Sequence, residues 1–410
     1  MTMDFTPTPA QLALATLTGQ ILHDRAGPEQ LRRLDQQRLT DGGDRFDPRL
    51  WEVLAETGVL SATVPQAAGG DGEAGNGLLE QCTVLIELGR ALAPVPYRPT
   101  VVMAGSVLAR FGTPQQQADW LKPALAGRSV LTVALSEPDA ADPVTPSTRA
   151  EPTATGWSLT GTKTLVPAGP LAQLILVSAA TEDGPGLFAV TPDDAGARIS
   201  RQQVVDQDDA GWLQLDDVAL PADRRIGGST VTGAANVTGG DDGPVAWVRR
   251  RATVAVCAHQ LGVLERALEL TAEYATTRTQ FDRPIGAFQA VGQRLADAYI
   301  QVQALRLTLW KAAWLLDAAS TTDAPTTSTS TPASVDAADA TSIDSAVATA
   351  MFWAAEAGHY VAHTCVHVHG GAGIDVEHPI HRYFLAAKRA EFELGGATAS
   401  LLALGAILAT

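Results

Sequence analysis

The periodicity of this chain changes twice along its length, and that limits what it can fold into. Residues 1–128 read as helix: Gln11 to Leu34 is rich in Ala, Leu, Gln and Arg, and Asp47-Pro48 opens a helix through Leu50, Trp51, Val53 and Leu54 that stops at Gly58. The Gly-rich stretch AAGGDGEAGNG follows, and then a helix from about Leu78 to Ala93, ahead of Pro94-Val95-Pro96. From about 129 to 225 the texture is strand-like. Ser129–Leu135, Gly156–Thr160, Leu174–Ala179, Leu187–Thr191 and Trp212–Leu215 are short apolar or alternating runs broken by Gly, Pro, Asp and Thr, which predicts a small antiparallel sheet. Beyond a Gly/Thr/Asp-rich linker over 226–245, apolar residues again recur every three or four positions, through Val254, Cys257, Leu261, Leu264 and Leu268, and through Val291, Leu295, Ala298, Val302, Leu305 and Leu309. Further helices are predicted over about Ile343–Val366 and Glu391–Leu408. Between them and the preceding helix, Asp317 to Ser342 contains DAPTTSTSTPAS and one bulky apolar residue, Val335, and reads as a flexible insertion. Helices, a sheet and helices again cannot form one layered domain, so a crevice where the halves meet the sheet is the expected cofactor site.

Charge narrows the function. The 410 residues carry 29 basic and 45 acidic side chains, a net −16, which excludes a generic binder of nucleic-acid backbone but leaves room for a local basic pocket. Three cysteines, Cys82, Cys257 and Cys365, lie in apolar stretches without disulfide or zinc spacing and read as buried small hydrophobes. The N-terminus lacks the basic and apolar regions of a signal peptide, and no 18-residue apolar span is expected, so the chain reads as soluble and cytoplasmic, with no membrane role.

Three segments can carry chemistry. In Arg278-Thr-Gln-Phe-Asp-Arg-Pro-Ile-Gly-Ala-Phe-Gln289, Arg278 offers a planar fork for a phosphate or pyrophosphate, Phe281 a ring to pack and Gln289 an amide. The plain alternative is an interhelical loop with solvated arginines. In His367-Val-His-Gly-Gly-Ala-Gly373, three glycines in four positions allow backbone N–H groups close to an anion, the alternative being a helix-terminating turn. His363, His367 and His369 lack a cysteine or carboxylate spaced to complete a metal site, and no metal is expected. In Ser136-Glu-Pro-Asp139, at the end of an apolar strand, a hydroxyl could bond a cofactor edge, or the residues could simply cap a turn.

Taken together, these motifs resemble the acyl-CoA dehydrogenase family over nearly the whole chain. Leu54-Ala-Glu-Thr-Gly-Val-Leu60 through Val64-Pro65 and Gly69-Gly70 is similar to that family's LxExGLLGLxxPxxxGG stretch. Glu87-Leu-Gly-Arg-Ala-Leu-Ala-Pro-Val-Pro-Tyr97 resembles bacterial members acting on bulky acyl-CoAs. Ser136-Glu137-Pro138 sits at the family's Thr-Glu-Pro, Arg278, Phe281 and Gln289 match RxxFG…Q, His369-Gly-Gly-Ala-Gly373 matches QxxGGxG, and Val376-Glu-His-Pro379 to Lys388 resembles the approach to the last helix. The resemblance implies an α+β fold with an N-terminal helical domain (1–128), a middle β-barrel domain (129–240) and a C-terminal four-helix bundle (246–410, with the insertion at 317–342). FAD would lie between sheet and bundle. By carry-over, Ser136, Arg278, Gln280, Phe281, Gln289, His367, Gly370 and Gly371 would contact the cofactor, those of the bundle gripping the adenine and pyrophosphate of a neighbouring subunit's FAD. The implied reaction is α,β-dehydrogenation of an acyl-CoA thioester, with electrons passing to an electron-transfer flavoprotein.

The departures from the family pattern are as informative. The family's catalytic Glu, six residues after its Lys and before a Gly, falls on Leu394 counted from Lys388. The alternative position on the first bundle helix falls on Ala252, beside the cationic Arg249-Arg250-Arg251. Glu393, about 100° round a helix from the usual position, is the nearest carboxylate, and Glu391 reads as a solvated or ion-paired residue. A flavin-bonding Thr becomes Pro167, the motif Gly after Phe281 becomes Asp282, and the motif Gln becomes His367. Adenine-side motifs kept while base and flavin-ring positions are lost imply a partner subunit in an α2β2 complex, as in actinobacterial members that act on steroid side-chain CoA esters. A self-sufficient dehydrogenase using Glu393 is the alternative, and an acyl-CoA oxidase a lesser one.

Overall fold

A computed structural model describes residues 5–72, 77–138, 145–228, 243–322 and 340–409. Asp139, the centre of the 226–245 linker and most of the 317–342 insertion lie outside these residues. Internal contacts divide the chain into two units that interleave along the sequence: one of residues 1–31, 79–93 and 253–410, the other of 32–78 and 94–252.

The first unit is helical. It contains α1 (Pro9–Arg25) and α4 (Leu78–Ala91, from Leu79 on), and most of α8 (Pro244–Thr277), followed by α9 (Gln289–Thr322), α10 (Ala340–His369), α11 (Ile380–Phe392) and α12 (Gly396–Leu408). Thr8 and Gln11 form a reciprocal capping box with Pro9 at the first helical position, so α1 starts where its orphan N–H groups are satisfied. Within this unit α4 and α8 cross closely. A Cβ at Gly89 would overlap the carbonyl oxygen of His259, and one at Gly262 that of Ile86. Arg90 on α4 pairs with Glu265 at 3.2 Å and Glu269 at 2.8 Å, and Arg306 on α9 reaches Glu265 at 2.6 Å.

The second unit holds the sheet, the helices α2 (Pro28–Asp41, from Arg32 on) and α3 (Pro48–Glu56), and the short helices α5 (Ser106–Phe111), α6 (Pro114–Gln116) and α7 (Lys122–Leu125). Asp47 caps α3, its carboxylate accepting from the N–H groups of Arg49 and Leu50, as Asp47-Pro48 predicts. The strands are β1 (Leu131–Ala134), β2 (Arg149–Pro152), β3 (Gly156–Pro167), β4 (Leu174–Thr181), β5 (Gly184–Val190), β6 (Ala197–Gln202), β7 (Ala210–Pro221) and β8 (Arg225–Ile226). They run in the order β6-β7-β3-β2-β4-β5-β8, with β1 also on β4. The expectation of an antiparallel sheet needs correction: β1 and β2 pair with β4 in parallel. The connection from β1 to β4 is not a hairpin but a long excursion through β2 and β3, and such a connection permits parallel pairing. Leu159, Val177, Phe188, Val190, Leu213 and Val218 form the centre of the sheet's core.

Three further expectations change. The predicted insertion is shorter than 317–342 at both ends, since α9 continues to Thr322 and α10 begins at Ala340. Asp317 is engaged, its carboxylate accepting from the N–H of Leu79 at 3.0 Å. The last helix is not continuous from Glu391: Leu394 (φ 55°), Gly395 (φ 104°) and Gly396 (φ 69°) break it, because two successive glycines readily leave the right-handed helical region. Finally, Ile380–Leu408 does contain an apolar 18-residue window, contrary to the sequence expectation, but that break interrupts it. All three cysteines are buried and none forms a disulfide among the described residues, and burial pushes the Cys365 thiol up to about 11.

Candidate functional site

Residues from α8, α9 and α10 assemble the candidate site in the helical unit. α8 ends at Thr277, and the chain turns through a two-stranded hairpin, β9 (Thr279–Gln280) against β10 (Arg283–Pro284). Its two central residues, Phe281 (φ 52°) and Asp282 (φ 62°), both take the left-handed conformation of a type I′ turn. The hairpin closes on itself through Ile285 N–H to Arg278 C=O at 2.8 Å. Phe281, at the tip, is 87% exposed and meets Phe288 edge-on, while the Arg283 guanidinium lies 4.1 Å over the Phe288 ring. A bare phenylalanine held out in a conformation disfavoured for it is the kind of local cost that function tolerates. The side chains of Arg278, Gln280 and Gln289 are all exposed. The Gln280 side-chain amide donates to the carbonyl of Thr279, and among the described residues Arg278 has no ion-pair partner.

The glycine loop lies at the other end of a ring stack that sequence reasoning missed. Tyr274, one turn before Arg278, stacks on His369 with centroids 4.3 Å apart and planes at 22°, and His378 closes on His369 at 4.9 Å. The stack ties the end of α8, where Arg278 begins, to the end of α10, where Gly370 begins. His369 is buried, its Nδ1 lies 2.8 Å from the Cys365 carbonyl, and burial holds its pKa below the usual histidine range. It is a core histidine, and among the described residues no group of three side chains is arranged to hold a metal ion.

Locally, His367–Gly373 is the helix-terminating turn that the plain alternative anticipated: α10 ends at His369 and a 3₁₀ turn covers Gly370–Ile374. Gly370, at φ 62°, takes the left-handed conformation that glycine adopts without strain, and a Cβ at Gly370 or Gly371 would meet open space, so the backbone there is accessible to a ligand. An exposed Arg fork and an open diglycine, on the two helix ends that the Tyr274–His369 stack ties together, fit the phosphorylated half of a dinucleotide. A helix C-terminus carries the negative end of the helix dipole, however, so the positive charge must come from side chains. Arg294, near the start of α9, supplies one such charge and escaped sequence reasoning. The signal was available, since His359, His363 and His367 recur one turn apart on α10 and face a solvent groove with Arg294.

Ser136 and its neighbours belong to the sheet unit. Ser136 is half-buried, its carbonyl accepting from Thr164 N–H at 2.9 Å. Glu137 accepts from Ser147 N–H (2.6 Å), Thr148 N–H (2.9 Å) and the Lys163 ammonium (2.7 Å), which also reaches Ser178 at 2.9 Å. Despite the cost of its burial, these donors hold the Glu137 carboxyl at about 2, whereas desolvation pulls the Lys163 ammonium down to about 8. Glu137 is a bolt of the sheet, with no proton to exchange near neutrality. Pro167 ends β3, its carbonyl accepting from the Thr132 hydroxyl.

At the positions of the expected base, Leu394 is half-buried in the left-handed conformation and Ala252 is buried among arginines, Arg251 lying 4.7 Å over the Trp247 ring. Glu391 is buried and engaged by Lys388 at 2.5 Å and His359 Nδ1 at 3.1 Å. Glu393 is 8% exposed but has extended backbone (φ −68°, ψ 137°) within the break, so the expectation of a residue displaced 100° round a helix does not apply.

The family model for the acyl-CoA dehydrogenase N-terminal domain matches residues 25–128, and that for the acyl-CoA dehydrogenase C-terminal domain residues 250–406. Acyl-CoA dehydrogenase FadE27 of Mycobacterium tuberculosis is 46% identical over 409 residues, covering 99% of each chain. A chain of the ChsE4-ChsE5 complex from Mycobacterium tuberculosis superposes with a TM-score of 0.85 at 44% identity, covering 99% of both chains. A chain from a variant of the Tcur3481-Tcur3483 steroid ACAD does so with a TM-score of 0.81 at 38% identity over 97% of both. The chain belongs to the acyl-CoA dehydrogenase family, flavoprotein oxidoreductases that act on CH–CH bonds.

Proposed function

We propose that this chain is the partner subunit of an FAD-dependent acyl-CoA dehydrogenase, completing a cofactor site for a second, Glu-bearing subunit in an α2β2 complex that acts on a steroid or similarly bulky CoA ester. The observation that carries the reading is the contrast between the two halves of the chemistry. An exposed Arg278–Phe281 hairpin and an open Gly370–Gly371 backbone remain for a phosphorylated ligand, while Leu394 and Ala252 stand where a base would be. The similarity to chains of two named complexes, one described as a steroid ACAD, supports the heteromeric form and the substrate class.

FAD, when bound, supplies the hydride acceptor for the β-carbon of the thioester. In this reading, Arg278 would neutralise the diphosphate, Gln280, Gln289, Gly370 and Gly371 would offer donors, and His367 and Phe281 would complete the walls. Ser136 would offer a hydroxyl in the sheet unit. The α-proton is weakly acidic, so its removal needs a carboxylate in a site closed to water. Neither Leu394 nor Ala252 can accept a proton, and Glu391 is neutralised by Lys388, so the base comes from the partner subunit. Electrons would leave to an electron-transfer flavoprotein, and the complex would work in the cytoplasm.

The second reading, a self-sufficient homo-oligomer, rests on Glu393, which is buried in the α11–α12 break next to Leu394. Purification separates the two. The expected result is a chain that is colourless or insoluble alone and gains flavin and acyl-CoA oxidation when co-expressed with a second dehydrogenase subunit. A yellow protein, active alone and silenced by Glu393→Gln, would establish the other reading.

A further inference from the structure

We propose that Tyr274, His369 and His378 form a positioning clamp that sets the spacing between the Arg278 hairpin and the Gly370 backbone, and that acid opens it. The inference rests on the cofactor reading above and concerns residues that stand behind the grip. Three rings close on one another here. Tyr274 stacks on His369 at 4.3 Å, His378 meets His369 at 4.9 Å, and Tyr274 and His378 stand edge to face at 6.5 Å. Both ends of the grip hang on this cluster. The Arg278 N–H donates to the Tyr274 carbonyl at 2.8 Å, and His369 is the residue before Gly370. One turn deeper the same two helices meet again, where the buried Cys365 thiol is hydrogen-bonded to the buried Thr271 hydroxyl. The ends of α8 and α10 are thus held together over their last turns, and both loops start from fixed points. Groups that bind a ligand need this kind of support from side chains locked by packing.

The clamp depends on uncharged imidazoles. His369 Nδ1 lies 2.8 Å from the Cys365 carbonyl, which can only accept, so Nδ1 carries the hydrogen and Nε2 the lone pair. His378 Nδ1 accepts from the Ile380 N–H at 3.3 Å, which puts the hydrogen of its neutral ring on Nε2. The titratable groups that meet His369 are Tyr274 from α8, His378 from the segment before α11 and Cys365 one turn back on α10. Among the described residues no carboxylate pairs with it. A proton added to His369 is therefore a buried charge without a counter-ion, beside a second imidazole. Burial holds its pKa below the usual histidine range; the bond to the Cys365 carbonyl opposes this, and His378 adds to it. The closed clamp accordingly binds fewer protons than the opened one. Closure is complete above the ordinary histidine value of 6.5 and weakens as pH falls below it.

The test uses whichever assembly co-expression yields, stripped of flavin. FAD affinity is measured by fluorescence titration, and amide hydrogen exchange at Arg278 and Ile285 by mass spectrometry. Both are followed from about pH 7.5 to about pH 5.5, where histidine titrates and the FAD diphosphate keeps its charge. In the wild type the FAD Kd is expected to rise about tenfold across this range, with exchange at both amides rising beyond its intrinsic pH dependence. Tyr274→Leu, which loses the stack, is expected to weaken FAD binding at both ends of the range, and Tyr274→Phe, which keeps the ring, to restore it. His369→Phe keeps the stack and removes the proton site, and is expected to flatten the acid response. Wild-type binding and exchange in Tyr274→Leu, or a full acid response in His369→Phe, overturns the proposal. If Tyr274→Leu fails to fold, the pH profile of His369→Phe decides. Arg278→Ala keeps the clamp apart from the cofactor reading. If it weakens FAD binding and Tyr274→Leu does not, the clamp falls and the cofactor reading stands. If exchange responds as expected while Arg278→Ala binds FAD at wild-type strength, the clamp stands and the Arg278 assignment falls.

Discussion

Glu137 and Lys163 form an ion pair with almost no solvent access, 26 residues apart in sequence and joined only when β3 is in place. Removing one partner leaves the other charged and buried, so Glu137→Ala or Lys163→Met is expected to destabilise the sheet unit by about 3–5 kcal/mol, measurable by denaturant unfolding. The pH dependence follows from the depressed carboxyl. With a folded pKa of about 2 against an unfolded value near 4.5, the stability that Glu137 contributes is full above the unfolded value and is lost as pH falls toward 2. An acid titration of the melting temperature is expected to show a decline over that window that is absent in Glu137→Gln. The sequence marked Ser136-Glu-Pro as a site, but only tertiary contact reveals that the glutamate is a structural bolt. Glu391, which reads from the sequence as a solvated or ion-paired residue, is the second of these, held by Lys388 and His359.

Among the elements, the α4–α8 crossing depends on two glycines, Gly89 and Gly262, that the helical pattern of the sequence passes over. Any Cβ at Gly262 overlaps the Ile86 carbonyl, which is backbone and cannot swing aside. Gly262→Val is therefore expected to cost about 1–3 kcal/mol and to lower the melting temperature, whereas Gly405→Ala on α12, with open space around it, is expected to be neutral or slightly stabilising. The hairpin carries its own prediction. Its turn needs positive φ at Asp282, and Asp282→Gly, which supplies that conformation without strain, is expected to stabilise the folded state by about 0.5–1 kcal/mol, again read by thermal melting. Helical periodicity located α8 to α10 well, because each presents a regular apolar stripe. It ran the last helix back to Glu391, across the break, because the composition there stays apolar, and the interruption rests on backbone angles at Leu394 to Gly396.

For the whole molecule, the apolar residues left uncovered form the strongest expectation. Leu401, Leu402 and Leu408 on α12 and Tyr299, Ile300 and Leu307 on α9 are all at least half exposed, more than single scattered side chains on one unit. Under the α2β2 reading the melting temperature of the co-purified complex rises with protein concentration, because assembly stabilises by mass action. Leu402→Glu is expected to shift the complex toward separate chains in sedimentation. The family and the three-part texture were determined by the sequence alone, because apolar spacing and the Arg278, Gly370 and Ser136 motifs are local properties of consecutive residues. The tertiary structure decided which of those residues have chemistry to spare. Burial and partnership are set by residues far apart in the chain, and they left Arg278 and Arg294 without ion-pair partners among the described residues while closing Glu137 and Glu391 into ion pairs.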